Sequence, residues 1–95
     1  MAAYMIARVK VTNPERYQKY VEATPPTIAK FGGRFIVRGG QTVTLEGSGE
    51  TRRVVILEFP SLEQARVWYA SEDYQTAKKL RAGAAEGDFL AVEGV

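Results

Sequence analysis

The segment Phe31-Gly32-Gly33-Arg34-Phe35-Ile36-Val37-Arg38-Gly39-Gly40 decides the fold around it. It is a short apolar strand, Arg34 to Arg38, enclosed by two glycine pairs. Glycine tolerates positive φ, so the first pair can end a helix and turn the chain. The second pair, Gly39 and Gly40, lets the strand bulge, bend or receive a ligand at close range, which makes both glycines predicted ligand neighbours. Arg38 precedes that flexible point and is expected to face a cavity.

Before this segment the pattern predicts a strand followed by a helix. Residues Tyr4 to Val11 alternate between an apolar and a mixed face, which is typical of a strand. Asn13 can cap a helix that has Pro14 at its first position, and the apolar helical face continues to Phe31. Proline costs about 3 kcal/mol inside a helix. Pro25-Pro26 therefore predicts a kink or a helix in two pieces.

After the segment the pattern predicts a bent hairpin. A second extended piece is expected over Thr42 to Glu46, followed by turn residues at 47–50. The next strand is expected over Arg52 to Phe59. Its central residues, Val54 to Leu57, are all apolar, which indicates burial on both faces of a sheet.

The C-terminal third of the chain contains two helix starts and a last strand. Ser61 with Gln64 three residues later forms a capping-box pattern, and Ser71 begins a second helix. Gly83 is a plausible stop for that helix, and a short strand is expected over Phe89 to Glu93. The order β-α-β-β-α-β predicts a ferredoxin-like α+β fold, with an antiparallel four-stranded sheet covered by helices on one face.

The amino-acid composition limits the classes of protein to which this chain can belong. Ninety-five residues with 45% apolar and 25% charged side chains form one soluble domain, residues 1–95. Without cysteine or histidine, the chain lacks the usual zinc ligands, the usual haem ligand and the commonest general base. Acidic residues form no cluster with ligand spacing, so neither a metal nor a cofactor is expected.

Charge and hydropathy exclude two further classes. The net charge is only +2, and no basic stripe with interleaved aromatic residues is visible, so nucleic-acid binding is not expected. No segment has the length of a membrane span, and the N-terminus has no signal-peptide pattern. A cytoplasmic protein is therefore expected.

Strict alternation divides the strands between the two faces of the sheet. The helix-covered face is expected to hold Met5, Ala7, Val9, Val11, Phe35, Val37, Val55, Leu57, Phe59, Leu90 and Val92. The opposite face is expected to hold Tyr4, Ile6, Arg8, Arg34, Ile36, Arg38, Val54, Ile56, Glu58, Phe89, Ala91 and Glu93. The second set is too apolar to face water, which predicts a homodimer with sheets packed face to face.

Charged residues on that second face suggest a site. We expect Arg38 to hold an anionic group and Glu58 to act as acid, base or orienting partner. The alternative is an arginine–glutamate network that fixes the dimer and binds nothing.

Four aromatic side chains are candidate walls of this pocket: Tyr4, Trp68, Tyr69 and Tyr74. Aromatic residues at helical spacing, such as Trp68 and Tyr69, are also typical of an ordinary core. Arg81 can reach the pocket from the last helix, or it can be a solvated arginine near a helix C-terminus.

Much of the chain resembles a known family. The resemblance is carried by Tyr20, residues 32–40, residues 54–61, Ala65, Trp68-Tyr69, Ser71, Tyr74-Gln75, Arg81 and Glu93-Gly94. These residues are similar to those of small bacterial proteins grouped as domain-of-unknown-function family 1330. The resemblance implies a dimeric α/β barrel and no particular activity. Relatives of that architecture include cofactor-free monooxygenases, lactone isomerases, small-ligand sensors and haem enzymes.

Three functional hypotheses follow. The first is a homodimer with a small pocket for an organic acid or carbonyl compound, acting as a cofactor-independent isomerase, lyase or monooxygenase that uses proton transfer. The second is a ligand-binding or regulatory module without turnover. The third is a purely structural dimer.

Overall fold

The chain forms one four-stranded antiparallel sheet with three helices. A computed structural model describes residues 1–95. The sheet order is β2-β3-β1-β4, and every neighbouring pair is antiparallel. This confirms the predicted ferredoxin-like fold. In chain order the elements are β1 (Ala3–Val11), α1 (Pro14–Lys30), β2 (Arg34–Arg38), β3 (Arg53–Phe59), α2 (Leu62–Ala70), α3 (Glu72–Lys79) and β4 (Ala85–Glu93).

Side-chain caps start all three helices where the sequence predicted them. The Asn13 side-chain oxygen accepts a hydrogen bond from the Arg16 N–H at 3.1 Å. The hydroxyl oxygens of Ser61 and Ser71 accept from the backbone N–H groups of Gln64 and Tyr74, at 3.0 and 3.1 Å. Each cap satisfies a donor that the first helical turn leaves free.

Helix α1 runs without interruption from Pro14 to Lys30, so of the two predicted outcomes at Pro25-Pro26 a helix in two pieces is wrong. The two prolines remove two backbone donors from the helix interior. Hydroxyl groups add bonds in the same turns, because Thr24 donates to the Tyr20 carbonyl and Thr27 to the Thr24 carbonyl, each at 2.7 Å. The helix ends where predicted, with Gly32 at φ +80°.

The loop between β2 and β3 contains no strand, so the extended piece predicted over Thr42 to Glu46 is wrong. The end of the loop is instead held by Arg52. Its guanidinium donates to the Glu50 carboxylate at 2.9 Å and to the Asp88 carboxylate on β4 at 2.7 Å. The hydrogen bonds from Arg52 lower the pKa of Glu50 to about 2.

The core lies between the sheet and the helices. Met5, Ala7 and Val9 of β1 are buried in it, as the alternation predicted, and so are Leu57 and Phe59 of β3. The largest fully buried side chains are Trp68, Tyr74, Phe59, Ile28 and Leu57. This core fixes which strand residues point toward the helices.

The side chains of β4 point to the opposite faces of the sheet from those predicted. It begins at Ala85, four residues before Phe89, and pairs Phe89 with Ala7 and Leu90 with Ile6. Phe89 therefore packs against the core, while Leu90 and Val92 lie on the open face, 49% and 46% exposed. None of the three helices has the combination of length and hydrophobicity that a membrane span requires.

Candidate functional site

A cavity lies between helix α1 and the sheet. Its volume is about 50 Å³, and it opens to solvent. Twelve of its fifteen lining residues are hydrophobic. The lining residues are Met5, Ala7, Val9, Tyr17, Tyr20, Val21, Thr24, Ile28, Phe35, Arg38, Arg53, Val55, Leu57, Trp68 and Phe89. The cavity is thus an apolar space with two arginines in its wall.

An irregularity in β2 places Arg38 at this cavity. The pairing of β2 with β3 shifts between Phe35 and Val37, so that Phe35 pairs with Leu57 but Arg38 pairs with Val55. An extra residue in one strand reverses the facing of everything after it. Arg38 therefore lies on the helix-covered face and Val37 on the open face, so the facing predicted for both residues is wrong. Its guanidinium stacks over the Phe35 ring, with Cζ 3.6 Å from the centroid.

Arg53, the first residue of β3, brings a second guanidinium to the cavity. It lies against Gly39, where a Cβ atom would come within 2.3 Å of the Arg53 Nη1. Gly39 also has φ +70°, a conformation that favours glycine. The glycine predicted as a ligand neighbour therefore makes room for a guanidinium.

The guanidinium of Arg81 lies over two rings of the cavity wall, although Arg81 does not itself line the cavity. Its Cζ lies 4.3 Å from the Phe89 ring centroid and 5.5 Å from the Tyr20 ring centroid, and both rings line the cavity. Arg81 follows helix α3, and its predicted role at the pocket stays a prediction. Its Nη1 is buried and has no hydrogen-bond partner.

These three guanidiniums have no acidic partner. The ion pairs of the chain involve Lys30, Arg34, Arg52 and Arg66, and none involves Arg38, Arg53 or Arg81. The Arg53 Nε is buried and unpaired, like the Arg81 Nη1. Buried charged donors without partners are costly. The cavity therefore concentrates positive charge that the chain itself does not neutralise.

Two tyrosines, Tyr17 and Tyr20, also line the cavity, and Tyr74 lies behind Tyr20. The Tyr20 and Tyr74 hydroxyls share a buried 2.8 Å hydrogen bond. Burial, and then the neighbouring Tyr20, raises the pKa of Tyr74 far above its usual value. Burial and Tyr20 also raise the pKa of Tyr17, against the opposing effect of Arg53 and Arg81. Both tyrosines therefore remain protonated near neutral pH, and their hydroxyls can donate hydrogen bonds.

Trp68 lines the cavity and is 1% exposed. Its Nε1–H donates to the Thr27 hydroxyl at 3.1 Å, which orients the indole. Tyr69 and Tyr74 pack around the indole, with ring centroids 6.1 and 4.2 Å away. Neither tyrosine lines the cavity, so they support its wall from behind.

Two predicted site residues lie on the other side of the sheet. Glu58 pairs with Tyr4 across β1 and β3, and its carboxylate accepts from the Arg34 Nε at 2.7 Å. Arg38 and Glu58 are therefore not neighbours, contrary to the prediction. Gly40 has open space around it and does not line the cavity.

Sequence reasoning missed four cavity residues that carry a polar group: Arg53, Tyr17, Tyr20 and Thr24. The two tyrosines were visible as part of the apolar face of α1, where tyrosine is ordinarily a core residue. Arg53 could have been found from the alternation of β3, because it lies on the same face of the strand as Val55 and Leu57. No group of three or more acidic, cysteine or histidine side chains is placed to hold a metal ion.

Comparison with solved structures shows the same fold in several proteins. A protein of unknown function from Rhodopseudomonas palustris, RPA0582, is 21% identical, with a TM-score of 0.78 over 99% of this chain and 82% of that one. SnoaB, a cofactor-independent oxygenase from Streptomyces nogalater, is 14% identical, with a TM-score of 0.71 over 99% and 93% of the two chains. A dimeric ferredoxin-like protein of unknown function from Jannaschia sp. CCS1 is 11% identical, with a TM-score of 0.69 over 99% and 100%.

Comparison with sequences gives a family and no characterised relative. The family described as "Domain of unknown function (DUF1330)" matches residues 2–95. No curated protein matches the sequence.

Proposed function

This chain belongs to the DUF1330 family, whose description names no activity. From the cavity we propose that each chain of a homodimer binds a small organic anion. The apolar part of the ligand enters the cavity, and its acidic group meets Arg38 and Arg53. The observation that carries the proposal is the pair of guanidiniums without acidic partners in an otherwise apolar wall.

The size of the cavity limits the ligand. A dry cavity of about 150 Å³ is known to admit benzene. The enclosed space here, about 50 Å³, is a third of that. A short aliphatic chain therefore fits better than a full aromatic ring, and the acidic group remains at the mouth, where Arg38 is exposed. The ligand class is a short carboxylic acid or the enolate of a small carbonyl compound.

The open face of the sheet supports the homodimer. Its apolar side chains form a continuous surface, and the ion pair between Arg34 and Glu58 lies on the same face. A surface of this kind is typical of an interface, and two-fold pairing covers it on both copies at once. Two structural neighbours are described as dimeric ferredoxin-like proteins. The apolar members of this face are Ile6, Val37, Val54, Ile56, Leu90 and Val92.

Binding is favoured over turnover because the cavity holds no proton acceptor. None of its lining residues is a carboxylate or a histidine, and Tyr17 remains protonated near neutral pH. Glu58, the predicted acid or base, lies on the other face. If the protein is an enzyme, the guanidiniums stabilise the conjugate base of the ligand and water carries its proton away. That version is a cofactor-independent isomerase, lyase or monooxygenase.

Calorimetric titration and thermal melts with matched ligands test the proposal. The sodium salts of acetate, propionate, butyrate and benzoate are compared with the corresponding neutral amides at constant ionic strength. We expect at least one short acid to bind and to raise the melting temperature, while its amide does neither. A hydrogen bond to a charged group contributes about 1.5–3 kcal/mol, so Arg53→Gln is expected to weaken binding about 10- to 150-fold.

Arg66→Gln is the matched control. Arg66 is an exposed arginine on α2 whose contact with Glu63 is 4.0 Å long, and its loss is expected to leave affinity unchanged. The proposed anion site would be refuted if the acids and their amides bound equally well. It would also be refuted if a folded Arg38→Gln, Arg53→Gln double variant kept full affinity for the acid. Product formation by the wild-type protein from a bound acid would establish the enzymatic version.

A further inference from the structure

The loop between β2 and β3, residues 39–52, is long and carries exposed apolar side chains. Loops of more than about 12–15 residues without helix or strand are uncommon in compact domains unless they serve a function or a linker. Val43 and Leu45, near the middle of this loop, are 79% and 87% exposed. Among the large apolar side chains only Val95 is more exposed. The middle of the loop is therefore apolar and has no partner within the chain.

The backbone of the same stretch is also unpaired. No backbone group of residues 40–49 forms a hydrogen bond with another backbone group. The one hydrogen bond that reaches this stretch runs from the Glu50 N–H to the Thr44 hydroxyl at 3.3 Å. Thr42, Val43 and Thr44 are β-branched, which favours an extended backbone packed against a neighbour. The stretch therefore offers both apolar side chains and free backbone groups to a partner.

The end of the loop is fixed on the open face of the sheet. The Arg52 guanidinium donates to the Asp88 carboxylate at 2.7 Å and to the Glu50 carboxylate at 2.9 Å. Asp88 lies opposite Arg8 in the pairing of β1 with β4, and by alternation it shares the face of Leu90. The loop therefore rejoins the sheet at one end of the apolar face that the proposed homodimer buries.

We infer that residues 39–52 form an arm that packs Val43 and Leu45 against the second copy of this chain. The inference rests on the proposed homodimer, because two-fold pairing of the open faces brings the partner next to the end of each arm. The cavity of the same chain lies on the opposite, helix-covered side of the sheet, and neither Val43 nor Leu45 lines it. The arm thus extends the apolar interface beyond the sheet and is covered together with it.

The dissociation constant of the dimer, measured by sedimentation over a dilution series, tests the arm. We expect a Val43→Ser, Leu45→Ser double variant to raise this constant at least about 10-fold, because each dimer loses four buried apolar side chains. Both residues are exposed within the chain, so the variant is expected to keep the wild-type circular dichroism. Val67→Ser is the control, since Val67 is an exposed valine on α2 and its loss is expected to leave the constant unchanged.

Cross-linking identifies what the arm contacts. The chain has no cysteine, so Leu45→Cys provides a single thiol for a benzophenone maleimide. Irradiation of an equimolar mixture of ¹⁵N-labelled and unlabelled protein is expected to join peptides of different isotope content, which only contact between two copies produces. The same probe on Val67→Cys is expected to give no cross-link between copies.

The outcomes separate this inference from the proposed function. A wild-type protein that sediments as a folded monomer overturns the homodimer and the arm with it. A wild-type dimer whose dissociation constant rises less than about 10-fold in the double serine variant overturns the arm and leaves the homodimer standing. Cross-links confined to one chain also overturn the arm, because they assign the loop to its own chain. The anion site is tested separately, by the titrations with short acids.

Discussion

The hydrogen bond between Tyr20 and Tyr74 gives an asymmetric prediction about stability. Their hydroxyls are 2.8 Å apart, and neither makes another hydrogen bond within the chain. Tyr74 is fully buried, whereas Tyr20 lines the cavity. Replacing one tyrosine by phenylalanine leaves the other hydroxyl unpaired, which costs about 1–3 kcal/mol when that group is buried.

The two single substitutions are therefore expected to differ. Tyr20→Phe leaves the Tyr74 hydroxyl with no partner and no water, so we expect a loss of about 2–3 kcal/mol. Tyr74→Phe leaves the Tyr20 hydroxyl beside a cavity large enough for water, so we expect about 1 kcal/mol. The double substitution removes both polar groups from the core and is expected to cost less than Tyr20→Phe alone.

Urea unfolding at fixed protein concentration measures these differences in the free energy of unfolding. For a chain of 95 residues, each kcal/mol also corresponds to about 4–8 °C in melting temperature. Tyr69→Phe is the matched control, because the Tyr69 hydroxyl makes no hydrogen bond within the chain, and we expect a change below about 0.5 kcal/mol. If the loss in the double variant equalled the sum of the two single losses to within about 0.5 kcal/mol, the coupling between the two hydroxyls would be refuted.

Two further predictions concern pH and assembly. Because the pKa of Tyr74 is raised above the unfolded value near 10, its contribution to stability is complete below pH 10 and is lost as pH rises further. Urea unfolding between pH 9 and 11.5 is expected to show that the free energy of unfolding of the wild-type protein falls with pH. In Tyr74→Phe the fall is expected to be shallower, by up to about 1.4 kcal/mol per pH unit. Parallel curves for the two proteins would contradict the burial of this hydroxyl. For the dimer, Leu90→Glu is expected to shift sedimentation at micromolar concentration toward the monomer, whereas Val67→Glu, at an exposed apolar residue of α2, leaves it unchanged. A wild-type protein that sediments as a folded monomer would contradict the interface.

The local signals in the sequence predicted most of the fold. Asn13, Ser61 and Ser71 cap the three helices because a side-chain oxygen three residues before a free N–H is a local arrangement. The alternation of Met5, Ala7 and Val9 likewise fixed the buried face of β1. Both patterns depend on neighbouring residues alone, and the topology follows from the order of elements.

The extended piece over Thr42 to Glu46 shows where local pattern fails. Its residues have the composition of a strand, but the structure gives them no neighbouring strand to pair with. The facing of β4 failed for a related reason. Phe89, Leu90, Ala91 and Val92 are all apolar, so only pairing with β1 decides which of them point inward.

The site depended on tertiary structure more than the fold did. The sequence alone marked Arg38 and the glycines after it as the functional segment, and it marked Trp68 and Arg81 as neighbours of a pocket. Strand pairing decided the rest, because the irregularity between Phe35 and Val37 turns Arg38 away from Glu58 and toward Arg53. A bulge exists only relative to a partner strand, so the residue that faces the cavity is set by the register of β2 on β3 and not by the alternation within β2.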